Sequence, residues 1–254
     1  MSDPAKSNDG VPFPETADIE TSNDNYATRF AGPSGQWLLD TQERIALGLL
    51  KQKNCRTVLD VGGGHGQLAI PLCRDGYQVT VLGSDASCEH RIRSVTATGA
   101  CRFQVGNVIA LPFPDQSFDA VFCFRLLTHC ERWPILVREL CRVAKVCVIA
   151  DYPTSQSFNA IAPAFFNAKK KIETNTRHWT LFRHAQLHDA FTEAGWPIAK
   201  KHGQFFFPMV VHRMLKCRPL SAGLESVSRA LGLNDAWGSP IIFRAEPQGA
   251  ALTS

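Results

Sequence analysis

The run VLDVGGGHGQLAI at residues 58–70 constrains this chain more than any other stretch. The residues around Asp60 are apolar and partly β-branched, which reads as a strand. Gly62, Gly63, Gly64 and Gly66 follow, and a helix opens near Gln67. A strand that passes through a glycine turn into a helix is the first half of a parallel βαβ unit. Glycine serves such a turn in two ways: it takes backbone angles closed to other residues, and its missing Cβ lets a ligand lie against the main chain. A ligand held there sits outside the carboxyl end of the strand, at the helix N-terminus. A plain βα turn with no ligand is the bland reading of the same residues.

The rest of the chain repeats the pattern. RTVLDV (56–61), QVTVL (78–82), CRFQV (101–105), AVFCF (120–124) and VCVIA (146–150) are short apolar runs separated by helix-like or polar segments. Each crossover must return the chain to the same edge, so the alternation predicts a doubly wound α/β fold. Residues 35–51 and 134–144 read as amphipathic helices, the second opening on Pro134 and placing Ile135, Leu136, Leu140 and Val143 at helical spacing. After residue 151 the rhythm changes: a helix over 156–171, another over 185–194 ended by Gly195, a strand interrupted at Gly203, and a last strand at 240–245. Between the two final strands lies an amphipathic insert over 209–236. Residues 1–24 are polar and aperiodic and read as a disordered tail, leaving one domain over 25–254.

Composition narrows the function. Hydrophobic residues make up 44% and charged residues 20%, ordinary for a globular protein with a core. No apolar run approaches a membrane span and the N-terminus is not a signal peptide, so the expectation is a soluble, cytoplasmic protein. Residues 1–24 carry a net charge of −5 and the remainder about +9, scattered apart from Lys169, Lys170 and Lys171 and a looser group at His212, Arg213, Lys216 and Arg218. Nothing interleaves aromatics with these charges as a nucleic-acid groove would. Nine cysteines without C-x-x-C spacing read as reduced thiols. His184 and His188 stand four apart but lack a third partner, so no metal is expected.

The turn itself says which ligand fits. A dinucleotide fingerprint starting at Gly62 needs glycine at 67, where Gln67 stands. The spacing present is Asp60-x-Gly62-x-Gly64-x-Gly66, and an acid at the strand's end suits a cation better than a pyrophosphate.

The D-x-G-x-G-x-G loop resembles the first motif of the class I S-adenosylmethionine-dependent methyltransferases. GNVIALPFPDQSFDAVFCFRLLTH (106–129) is similar to that family's segment leading into the fourth strand, and Leu136, Glu139, Arg142 and Val143 resemble its L-x-E-x-x-R-V helix. The likeness is closest to the subgroup with the ubiquinone, menaquinone and small-molecule enzymes, and FRHAQLHDAFTEAGW (182–196) extends it weakly. The resemblance implies a Rossmann-like, seven-stranded, mostly parallel sheet and S-adenosylmethionine as cofactor. It implies that Asp60, Gly62, Gly63, Gly64 and Gly66 border the methionine part, with a Gly64→Val side chain blocking the cofactor while sparing the fold. Asn107 and Val108 would meet the adenine, and Cys123, Phe124 and Arg125 would face the sulfonium and the acceptor. The chain departs from the family at the end of the second strand, where Gly83 replaces the acid that grips the ribose; Ser84 or Asp85 is expected to compensate.

Methyl transfer needs a base only when the acceptor must lose a proton. His129, just past the fourth strand, is the first candidate, and Asp151 and Tyr152, ending the fifth, should point at the same crevice. Each has a structural reading beside the functional one: a capping or partly buried histidine, and a cap or turn for Asp151. Tyr26 and Arg29 would line the entrance, whereas Phe30 and Trp37 read as core. The expected substrate is a small molecule, an apolar one among the candidates, rather than nucleic acid. The insert could shape its pocket or touch a lipid surface peripherally. A non-catalytic protein of the same fold, serving as a partner subunit, is the competing reading.

Overall fold

The computed structural model describes residues 13–158, 179–215 and 217–249. Seven strands form one sheet: β1 (Thr57–Val61), β2 (Gln78–Gly83), β3 (Cys101–Val105), β4 (Phe118–Cys123), β5 (Ala144–Tyr152), β6 (Ile198–Gly203) and β7 (Ile241–Ala245). Their order is β3-β2-β1-β4-β5-β7-β6. The first five are mutually parallel, and β7 runs antiparallel between β5 and β6. The order reverses between β1 and β4, which opens a crevice at their carboxyl ends. Because β7 is reversed, β6 points the same way as β1–β5, and Gly203 ends level with Tyr152 across Ile241.

Ten α-helices complete the described residues: α1 (Ala17–Thr21), α2 (Asp24–Thr28), α3 (Gly32–Leu50), α4 (Ala69–Arg74), α5 (Arg93–Thr96), α6 (Trp133–Val143), α7 (His184–Glu193), α8 (Met209–Leu215), α9 (Arg218–Ala230) and α10 (Leu233–Trp237). Alternation along the strands sends side chains to opposite layers. Leu59, Val61, Val121, Val148 and Ala150 pack under α6 and α7, whereas Val58, Phe122, Cys147 and Ile149 pack under α3 and α4. On α6 the buried stripe is Leu136, Val137, Leu140 and Val143, and each such side chain contributes roughly 1.5–3 kcal/mol of burial. Ile135, expected on that stripe, is exposed, because the stripe turns toward Val137 instead.

The helix and loop that resemble the family's central segment are held by one cation. Arg142 donates to both oxygens of Glu139, to Asp115 and to the carbonyls of Phe113 and Leu111, while Glu139 accepts the N–H of Leu111. That fixes the LPFPD loop on α6, and Glu139 in turn holds Arg142 firmly protonated.

Three further features differ from the sequence reading or explain it. The expected tail is docked from residue 13 on, with Glu15, Asp18, Thr21 and Ser22 buried against the domain; residues 1–12 lie outside the described residues. Polar composition hid this, since Glu15 and Asp18 find partners in distant parts of the chain. Strand β6 ends at Gly203, where α10 comes so close that a Cβ would lie 1.9 Å from the carbonyl oxygen of Asn234. The helix expected over 156–171 lies almost wholly outside the described residues, as do Lys169, Lys170 and Lys171.

Candidate functional site

The glycine turn closes tightly at the end of β1. Gly62 and Gly66 adopt φ of +74° and +75°, flanking a 3-10 turn over Gly63–His65. Gly63 has a second reason to lack a side chain: its Cβ would fall 2.1 Å from Oδ2 of Asp60. The carboxylate of Asp60 is thus folded beneath the turn. It is fully buried, neither oxygen has a hydrogen-bond partner, and burial pushes its pKa up to about 7. A buried acid left without a partner is costly and points to a ligand with positive charge.

At the end of β2 the missing acid has a steric cause. A Cβ on Gly83 would lie 2.7 Å from Cβ of Cys88 and 3.0 Å from the ring of Phe103. Asp85, expected to compensate, accepts the N–H of Ser87 at 2.8 Å and caps its own short helix, which holds its carboxyl low. Ser84 is buried, and its N–H and hydroxyl both donate to the carboxylate of Asp18, at 2.7 and 2.5 Å. Asn107 uses its side-chain carbonyl on the N–H of Ile109, and Val108 is packed in the core.

Between β4 and β5 a polar network ties three elements together. Asp151 accepts the backbone N–H of Arg125 at 2.6 Å and the amide of Gln42 at 3.1 Å. Gln42, on α3, accepts from the Arg125 guanidinium at 3.0 Å and from Gln67 beside the glycine turn. The N–H of Gln67 donates to His65 Nδ1. Burial raises Asp151 to about 6, opposed by Arg125, and burial with the Arg125 charge lowers His65 to about 3. Arg125 itself stands at φ +59° with its guanidinium 4.2 Å from the Phe30 ring centroid and 5.7 Å from that of Tyr26, against which Arg29 also lies at 4.9 Å. These are cation–π contacts, so Phe30 lines the site rather than the core. Trp37 does pack, against Phe205 and His212.

Two expected residues are turned away. Phe124 is buried, its ring stacked on Phe122, so only its backbone reaches the crevice. Tyr152 follows Asp151 on an extended strand and therefore faces the other layer. There it packs on Phe182 and Phe243 and pairs through its hydroxyl with His184 Nδ1 at 2.8 Å. His129 ends the short turn after β4 and is half-buried. Sequence reasoning missed Asp18, Gln42, His65 and Gln67. The last two sit inside the motif and could have been read; Asp18 and Gln42 act across 66 and 109 positions of sequence, which no local pattern reports. His184 Nδ1 meets the Tyr152 hydroxyl, and His188 Nδ1 lies 3.5 Å from Asp189 Oδ1.

Residues 59–146 match the family described as a methyltransferase domain. Over this stretch the chain is similar to the methyltransferases, which supports S-adenosylmethionine as the cofactor. It is 42% identical over 72 residues to a demethylmenaquinone methyltransferase of Deinococcus radiodurans, a match covering 27% of this chain and 30% of that one. The matched stretch spans about a third of the length of such curated relatives. Among solved structures, the fold is similar to a putative methyltransferase of Haloferax volcanii in complex with the Trm112 methyltransferase activator. The TM-score is 0.61 at 16% identity, covering 92% of this chain and 99% of that one. It is also similar to magnesium protoporphyrin IX methyltransferase of Synechocystis PCC 6803 with bound S-adenosylhomocysteine, with TM-score 0.58, 15% identity and coverage of 88% and 94%.

The residues of this domain fit that cofactor's chemistry. The orphaned Asp60 carboxylate suits its ammonium and sulfonium charges, and the glycine turn offers backbone that no Cβ shields. In the structure that same surface is in contact with α1: Cβ of Asp18 is 3.5 Å from where a Gly62 side chain would start, and Ser22 Oγ is 2.5 Å from the corresponding point on Gly64. Among the described residues no group of acids, histidines and cysteines could hold a metal, and no helix is long and apolar enough to cross a membrane.

Proposed function

We propose that the protein transfers a methyl group from S-adenosylmethionine to a small acceptor with an apolar body. The observation that carries this is the fully buried, unpartnered Asp60 carboxylate beneath the glycine turn. A neighbouring positive charge offsets the cost of an unpaired buried acid. In this reading Asp60 and the backbone of Gly62, Gly63, Gly64 and Gly66 hold the amino-acid part, Ser84 contributes its donors to the ribose side, and Asn107 and the Val108 backbone border the base.

S-adenosylmethionine supplies a methyl carbon already activated by its sulfonium, and the acceptor's lone pair forms the new bond as the carbon–sulfur bond breaks. The chain's part is alignment, a contribution that can reach roughly 7–11 kcal/mol. Arg125, fixed by Asp151, Gln42 and Phe30, gives the crevice a rigid wall between the glycine turn and the acceptor side. His129 stands on that side as a proton acceptor, and Asp151 is the positioning residue behind Arg125. Tyr152, in the other layer, takes no part.

Support for an apolar acceptor comes from the insert. Phe206, Phe207, Leu220, Leu224, Val227 and Leu231 line an open cavity of about 450 Å³ whose walls are almost wholly apolar. The insert grows from the end of β6, at the same edge as Asp151. The Deinococcus relative's demethylmenaquinone is a ring of this chemical kind. The nine unpaired cysteines support a reducing, cytoplasmic setting.

The second reading is a non-catalytic subunit. Gly83 and the seating of α1 on the turn favour it. Calorimetric titration with S-adenosylmethionine and S-adenosylhomocysteine separates the two. Binding of both, followed by mass gain on phenolic or quinone-like acceptors, is the expected result. Absence of binding even in excess ligand would favour the partner-subunit reading.

A further inference from the structure

The segment 15–24 is held across the mouth of the crevice by three acidic clasps on two stretches of the chain, 84–91 and 131–132. Glu15 accepts the N–H groups of Glu131 and Arg132 at 3.3 and 3.0 Å, just before α6. Asp18 accepts from the N–H and hydroxyl of Ser84, and the thiol of Cys88 lies 3.3 Å from its carboxylate. Asp24 meets His90 at 3.1 Å and Arg91 at 2.6 Å. Apart from Ala17, which touches the core, the grip is polar.

The middle clasp sits where a ligand on the glycine turn would sit. Ser84 is the first residue past β2, and both of its donors are taken by Asp18. The side chain of Asp18 lies on Gly62, and that of Ser22 lies on Gly64. Asp18, Asp60 and Ser84 are all completely buried, so this stretch of the crevice is filled by the chain itself. The missing Cβ atoms that would admit a ligand admit α1.

We propose that segment 15–24 is an intramolecular competitor for the cofactor: α1 occupies the glycine turn, with Asp18 taking the Ser84 donors, and it must lift away before S-adenosylmethionine can enter. The inference rests on the reading of the turn as the cofactor site. It makes Asp18 a determinant of affinity that acts against binding. A protein whose competent form is a fraction of the population binds with an affinity reduced by that fraction. An acid that instead gripped the ribose in place of the absent residue at position 83 would act in the opposite sense.

The test is a sign. Asp18→Ala and Glu15→Ala, each checked for an unchanged circular dichroism spectrum, are titrated with S-adenosylmethionine beside the wild type. Glu15→Ala releases the strap from α6 without touching the turn and stands in if Asp18→Ala fails to fold. Both variants are expected to bind more tightly, by about tenfold to a hundredfold for a lost charged hydrogen-bond pair. In the wild type, S-adenosylmethionine is expected to speed amide hydrogen exchange over residues 15–22. Weaker or unchanged binding by the variants, or slower exchange over 15–22 on adding ligand, overturns the proposal and leaves the cofactor assignment standing. No binding by any of the three proteins removes the cofactor assignment and this inference together.

Discussion

The carboxylate of Asp151 accepts the backbone N–H of Arg125 at 2.6 Å, joining the end of β5 to a residue held in the left-handed region. Arg125 pays a conformational cost there that glycine would not, and the bond from Asp151 offsets it. Asp151→Asn keeps a carbonyl for Arg125 but sets its amide N–H groups against the Gln42 amide, and is expected to cost less than Asp151→Ala. Asp151→Ala leaves that N–H and the Gln42 amide without partners and should cost about 1–3 kcal/mol. Urea unfolding of the pair checks this, since equal losses in both variants would mean the charge matters rather than the bond.

Asp60 titrates near 7 in the fold against 3.8 as an ordinary carboxyl, so the folded state holds its proton more tightly than the unfolded chain. The sign follows: its effect on stability is harmless below about pH 4, turns unfavourable as pH rises toward 7, and is constant above. Asp60→Asn should therefore gain on the wild type progressively over that window, by an amount on the order of a few kcal/mol. Unfolding free energies of both proteins at pH 5 and pH 8 give the difference. A gap that does not widen with pH would show that Asp60 is solvated or paired.

Cationic ligand binding next to Asp60 should pull its carboxyl back down. Below about pH 7, S-adenosylmethionine is then taken up with release of up to one proton, and affinity falls as the medium becomes more acidic. Calorimetry in two buffers of different ionisation enthalpy at pH 6 counts that proton. A null count would place the ligand's charge away from Asp60.

Gly64→Val, expected from sequence to block the ligand and spare the fold, should do more. Even a Cβ at this position would stand 2.3 Å from the backbone carbonyl of Cys88, which has no side-chain freedom with which to yield. The smaller Gly64→Ala is expected to lose about 1–3 kcal/mol through overpacking. Its melting temperature, measured without ligand, reads this directly.

Arg142→Ala removes donors from two carboxylates and two carbonyls, and an expected loss of roughly 2–4 kcal/mol follows from the groups left behind. Arg142→Lys should restore only part of it, because an ammonium lacks the planar fork that serves all four at once. The midpoints of denaturant unfolding rank the three proteins.

The parallel strands and the glycine turn were legible because their chemistry is local: apolar runs of the right length, and glycines where φ must be positive. The sequence marks Gly83 as a departure from the family it resembles, whereas the crowding of that position by Cys88 and Phe103 needs the third dimension. Asp85 looked like a substitute because it is acidic and near; it caps its own turn instead. Tyr152 was placed with Asp151 by adjacency, although neighbours on a strand face opposite layers. Residues 15–24 defeated the reading altogether, since a polar segment satisfied by distant donors has the composition of one satisfied by water.

The partners of α1 also set an order of events during synthesis. Asp18 leaves the ribosome long before Ser84 and Cys88, and Glu15 long before Glu131 and Arg132. Segment 15–24 thus waits for partners made after β2 and after β4. Such distant pairings are slow to form. The segment's partners are complete only once the chain has been made through Arg132, past β1, β2 and β4, so a segment made early is seated late.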